Sequence, residues 1–113
     1  FDPAAGVDLT DGLNVAYMSA WEPTVTSNTM KLSESIYRSV AISNDFGIST
    51  NVYVNGPSGV FYIFNMGASF TDLTSKLEAR NSSEAWQEYW GNAQVQRAGQ
   101  FVRQAWITRV AAD

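Results

Sequence analysis

The order of strand-like and helix-like segments in this 113-residue chain predicts an α+β fold built as β-α-β-β-α-β. Its second half holds an aromatic strand-like run at residues 60–66, a Trp-rich helical stretch ending at Trp90, and another strand-like run at residues 101–110. The first half repeats the order strand, helix, strand. Asn55-Gly56-Pro57-Ser58-Gly59 joins the halves as a five-residue turn, a hairpin signal in which Pro57 excludes a simple two-residue loop.

Residues 1–12 carry three Asp, two Gly and one Pro with little periodicity and read as a loose lead-in to a single domain spanning 13–113. In the first strand, Leu13, Val15, Tyr17, Ser19 and Trp21 share one face. Asn14, Ala16, Met18 and Ala20 share the other, the pattern of a strand covered on both sides. Glu22 and Pro23 end it. A Thr and Ser cluster then offers helix caps ahead of Leu32, Ile36 and Val40 with Tyr37 and Ala41, an amphipathic helix of about four turns. Residues 44–47 stop that helix, and the alternation over residues 48–54 gives the second strand. Residues 60–67 form the third.

Ser69-Phe70-Thr71-Asp72 has the spacing of a capping box, followed by Leu73 and Leu77 on the face of Phe70. Asn81-Ser82-Ser83-Glu84 is a second start signal, so the helix is broken or re-capped near Asn81 before Trp86, Tyr89, Trp90 and Ala93. Ala98-Gly99 turns the chain into the fourth strand, residues 100–110. This order defines the ferredoxin-like plan, an antiparallel sheet with both helices on one face. The opposite sheet face is too apolar to be left in water, and a homodimer with its two sheets face to face covers it.

Composition narrows the function. The chain is 45% apolar with four Trp, five Tyr and six Phe, enough for a core. Seven Lys and Arg against 11 Asp and Glu leave a charge of −4, which argues against nucleic-acid and membrane partners. No Cys and no His occur, which removes disulfides, thiolate nucleophiles and zinc sites. No apolar run approaches the roughly 18 residues of a membrane span, and the chain reads as soluble, cytoplasmic or exported. No metal or other cofactor is indicated: Glu84 and Glu88 lie four apart on one helix face, Asp72 reads as a cap, and no Gly-rich phosphate loop is present. Asn81-Ser82-Ser83 matches a glycosylation acceptor, but Asn81 equally reads as a cap.

The run Val60-Phe61-Tyr62-Ile63-Phe64, the break near Asn81, the stretch Ser83-Glu84-Ala85-Trp86-Gln87-Glu88-Tyr89-Trp90 and the closing strand 101–108 resemble the dimeric α/β-barrel superfamily. The similarity is to its NIPSNAP-like and antibiotic-biosynthesis-monooxygenase-like branches and covers residues 13–111 as a hydrophobic pattern. It implies a homodimeric α/β barrel with a cavity between sheet and helices or inside the barrel. Such cavities serve cofactor-free oxidation, haem degradation, isomerisation or ligand sensing in that superfamily. The absence of His argues against the haem-dependent and His-dependent members.

Candidate ligand-binding residues follow from face assignment. If the hairpin pairs Val54 with Val60, then Ser49, Asn51 and Tyr53 share a mixed aromatic and polar face with Phe61, Ile63 and Asn65, the composition of a small-molecule pocket. Asn51 and Asn65 could equally be edge or dimer contacts. Arg103, mid-strand between Phe101 and Ala105, requires a carboxylate such as Glu84 or Glu88, a ligand anion, or an exit to solvent. Arg109 reads as solvated. Tyr17 and Trp106 carry polar atoms that need partners inside a barrel, whereas Trp86, Tyr89 and Trp90 read as core. The candidate set is therefore Tyr17, Asn51, Tyr53, Asn65, Arg103 and Trp106. It fits a binder of a small apolar or aromatic ligand, with a cofactor-independent monooxygenase or isomerase and a structural dimer module as alternatives.

Overall fold

A computed structural model of the chain describes residues 12–56 and 59–108. Most of the lead-in 1–12, Pro57 and Ser58 of the turn, and Arg109 and Val110 of the last strand lie outside the described residues. Strand β1 (Val15–Pro23) runs through a 3-10 turn at Thr26–Asn28 into helix α1 (Thr29–Asp45). Strands β2 (Ser49–Asn55) and β3 (Val60–Gly67) follow, then helices α2 (Phe70–Asn81), α3 (Glu84–Gly91) and α4 (Ala93–Ala98), and strand β4 (Gly99–Thr108). The strands form one antiparallel sheet in the order β2-β3-β1-β4, the ferredoxin-like arrangement expected from the element order.

The hairpin register differs by one residue from the sequence expectation. Asn55 pairs with Val60 and Val54 with Phe61. Gly59 takes φ +70°, a left-handed conformation that suits glycine, and its N–H donates to the Asn55 carbonyl at 2.7 Å. The loop therefore holds four residues rather than five. A one-residue slip moves every side chain of the strand to the other face. Thr50, Val52 and Val54 thus join Phe61, Ile63 and Asn65, and Asn51 and Tyr53 join Tyr62 and Phe64.

The alternation of β1 is realised on both sides. Trp21, Phe61 and Ile63 pack with Leu32 and Ile36 of α1, so this is the helix side of the sheet. On the far side, Met18, Ala20, Tyr62 and Phe64 cluster with Tyr53, Val60, Ala105 and Ile107. Met18 and Phe64 are 1% and 0% exposed, so the centre of this face is already buried, while Tyr53, Val60, Ala105 and Ile107 around it are partly buried. The reason given above for a face-to-face dimer, an open apolar face, does not hold for that centre.

Local signals set the helices. The Ser69 hydroxyl accepts from the Asp72 N–H at 3.0 Å, and the Asp72 carboxylate accepts from Ala68, one residue beyond the usual capping-box partner. The chain breaks after Asn81, and the Ser83 hydroxyl caps α3 by accepting from the Trp86 N–H at 3.2 Å. Helix α1 starts without a side-chain cap. Its buried stripe is Leu32, Ser35, Ile36, Ser39 and Ser43, and Tyr37 and Ala41, expected on that face, are exposed.

Gly67, at the end of β3, shows how tightly α2 docks: a Cβ there would lie 2.8 Å from Leu73 Cβ and 3.2 Å from Leu73 Cα. Gly67→Ala forces the helix start away from the sheet, and urea denaturation is expected to show a loss of about 1–3 kcal/mol.

Candidate functional site

Between the helix side of the sheet and helices α1 to α3 lies a cavity of about 650 Å³. It stays open because α1 presents three serines at i, i+4, i+8. Ser35, Ser39 and Ser43 face inward one turn apart, and each is too small to reach the sheet. Their burial is satisfied locally: Ser39 Oγ donates to the Ile36 carbonyl at 2.6 Å and Ser43 Oγ to the Ser39 carbonyl at 2.8 Å. The opposite wall is aromatic. Trp86, Tyr89 and Trp90 of α3 stand with ring centroids 5.2 to 6.1 Å apart, and Trp90 lies 5.6 Å from Trp21 of β1. The Tyr89 hydroxyl donates to the Ser35 carbonyl at 2.8 Å, tying α3 to α1.

Arg80, at the end of α2, enters this cavity and is 8% exposed. Leu73, Leu77 and Arg80 lie at i, i+4, i+7, so the guanidinium occupies the position the apolar stripe prepares for a hydrophobe. Its Nη1 donates to Ser43 Oγ at 3.0 Å, and Nε and Nη2 donate to Asn81 Oδ1 at 3.1 and 2.9 Å. Its Cζ lies 3.8 Å from the centre of the Trp86 ring, a cation–π contact. Burial lowers its pKa to about 10, partly opposed by the phenols of Tyr17 and Tyr89, so it is charged at neutral pH. Arg80 is the only charged residue among the described residues that line the cavity.

The mouth lies along the edge strand β4. A register shift between Ala20/Trp21 leaves Val102 as an extra residue on β4, which brings Phe101 beside Trp21 on the helix side. Trp106 is 44% exposed and stacks between Tyr17 and Phe70, with centroids 5.0 and 4.9 Å away. The Tyr17 hydroxyl donates to Gln104 Oε1 across the rim. Burial raises the Tyr17 pKa above 10, with Arg80 pulling it partly back.

Of the residues singled out from sequence, Tyr17, Asn65 and Trp106 line the cavity. Asn65 is buried and its Oδ1 accepts from Thr50 Oγ1 at 3.4 Å. Asn51 and Tyr53 lie on the far side because of the hairpin register, with Tyr53 packing edge-on against Phe64. Arg103 is also on the far side, because the unbroken pairing of β4 with β1 sets it opposite Ala20, on the face of Ala105 and Ile107; it is exposed, 6.0 Å from the Tyr62 ring, with neither Glu84 nor Glu88 in an ion pair with it. Trp86, Tyr89 and Trp90, read as core, also line the cavity; Tyr89 is buried and the two tryptophans are half-buried. Arg80 and the serine stripe escaped the sequence reading, although the i, i+4, i+7 spacing of Leu73, Leu77 and Arg80 and the i, i+4, i+8 serines were both visible signals.

The chain matches no protein-family profile and no curated protein. Solved structures share its fold, among them the following two. PA3566 from Pseudomonas aeruginosa superposes with a TM-score of 0.65 at 14% identity, over 93% of this chain and 100% of that one. Rv0793 from Mycobacterium tuberculosis superposes with a TM-score of 0.61 at 18% identity, over 88% of this chain and 95% of that one. Both cover nearly the whole length, so the chain is a small α+β protein of the ferredoxin-like type.

Burial raises the pKa of Tyr89 above 10, with the Ser39 hydrogen bond and the Arg38 and Arg80 charges pulling it partly back. A raised phenol pKa gives stability that is complete below pH 10 and is lost as pH rises through the folded value. Arg80 acts in the opposite sense, because its depressed pKa relieves a buried charge as pH rises above about 10. Tyr89→Phe is therefore expected to lose less stability above pH 10 than the wild type. It should also remove one late-titrating phenol from an absorbance titration.

Proposed function

We propose that this chain binds a small, largely apolar aromatic molecule in the cavity between its sheet and helices. The observation that carries the reading is the composition of that cavity. A volume of about 650 Å³ is typical of ligand sites, and its walls combine four tryptophans with a few fixed polar groups. Trp21, Trp86, Trp90 and Trp106 offer flat faces for a ring system, while Asn65, Tyr17 and the serines offer sparse hydrogen bonding. An open interior also weighs against a module that acts through its surface alone. The strand and helix pattern together with the two structural neighbours supports membership in the dimeric α/β-barrel superfamily.

A second reading is cofactor-independent oxygenation or isomerisation in the same cavity. It is favoured by Arg80, whose fixed positive charge in a water-poor site is suited to stabilising an oxyanion that develops on a bound substrate. Turnover of an aromatic substrate without added metal or flavin would separate it from binding alone.

The proposal includes a homodimer. Its support is β4, a sheet edge that exposes Phe101, Val102 and Trp106, a combination that invites pairing with a second copy. Light scattering is expected to give twice the chain mass. Val102→Lys should shift it to the monomer, whereas a wild-type monomer at all concentrations contradicts the dimer.

A screen of two- and three-ring aromatics tests the binding reading through thermal shift and quenching of tryptophan fluorescence. Hits are expected to raise Tm by several degrees at saturating concentration. Ser39→Leu, which fills the cavity from the α1 side, should abolish the shift while leaving the far-ultraviolet circular dichroism unchanged. Equal shifts in the variant would place binding elsewhere.

A further inference from the structure

We infer that the ligand of this cavity is an anion, an aromatic ring system carrying a carboxylate-like group that docks on Arg80. The inference rests on the cavity-binding proposal and adds the charge of the ligand and the residue that reads it. A buried cation is ordinarily balanced by an acid, because transferring an unpaired charge out of water costs several kcal/mol. Arg80 is more than nine-tenths buried, and its three hydrogen bonds go to Ser43 and Asn81, both neutral. The single ion pair among the described residues, Lys76 with Asp72, lies on the surface of α2. The described residues thus orient this guanidinium without neutralising it.

The donor count shows what it is free to hold. A guanidinium carries five N–H groups. One from Nε, one from Nη1 and one from Nη2 are engaged, which leaves one on each terminal nitrogen. Two N–H groups on adjacent nitrogens suit the two oxygens of a carboxylate, the pairing for which arginine is better shaped than lysine. The Trp86 face behind it and the Asn81 amide beside it restrict the rotation of the group. Flat aromatic walls next to a fixed cation select a planar body with an acidic substituent. The chain's net charge of −4 makes this positive interior a local exception rather than part of a basic surface.

Isothermal titration with naphthoate, naphthamide and naphthylmethylammonium separates charge from shape. For the wild type, affinity is expected to fall in that order, with naphthoate at least about tenfold tighter than naphthamide. Arg80→Met should bring naphthoate down to the affinity of naphthamide and leave naphthamide within roughly twofold of wild type, since only the charge and fork are removed. Arg80→Lys should retain part of the preference. If naphthamide binds as well as naphthoate to the wild type, or if the preference survives in Arg80→Met, the ligand is not read by this charge and the inference fails while cavity binding stands. If none of the three binds, cavity binding fails and takes the inference with it. The wild-type comparison decides the matter even if the Met variant does not fold.

Discussion

A buried positive charge with no carboxylate paired to it among the described residues is the constraint around which the helical layer is arranged. Arg80 emerges from α2 where the Leu73 and Leu77 stripe would continue with a hydrophobe. Three elements then organise themselves to hold it: Ser43 on α1 supplies an acceptor, Asn81 closes the other side, and Trp86 on α3 lies beneath its plane. The break between α2 and α3 serves this arrangement. Ser83 Oγ donates to the Arg80 carbonyl at 2.6 Å while capping α3, so the turn that ends one helix fixes both the arginine and the aromatic helix that follows.

The same economy explains why a cavity persists in so small a domain. A chain of this size needs most of its apolar surface buried to be stable. Here the far side of the sheet supplies a dense cluster around Met18 and Phe64, and Leu32 and Ile36 clamp α1 to the sheet near Phe61. A third cluster, Val15 with Ile48 and Leu73, closes the opposite end. Between these anchors the serines of α1 leave the space unfilled. Stability and binding are thus separated along the length of one helix.

The fold was legible in the sequence because its signals are local. The alternation of β1, the hydroxyl cap at Ser69 and the break near Asn81 depend on a few neighbouring residues and appear where expected, although the cap of α3 falls on Ser83 rather than on Asn81. The site was less legible, because it depends on register and on distant pairing. A one-residue difference in a glycine-closed hairpin moved Asn51 and Tyr53 to the other face, and Arg103, opposite Ala20, shares the far face with Ala105. Tyr17 and Trp106, singled out for polar atoms that need partners, do line the cavity, together with Asn65. Arg80 continues the spacing of Leu73 and Leu77, but its depth depends on α1 and α3 closing over it.

A crystal structure of the protein grown with naphthoate is the decisive measurement. The carboxylate is expected at about 2.7–3.0 Å from the Arg80 terminal nitrogens, with the ring system against the tryptophans of the cavity and Ser43 and Asn81 still holding the guanidinium. A cavity closed by repacked side chains, or an Arg80 turned outward to a carboxylate of the protein's own with the ligand bound elsewhere, would contradict it.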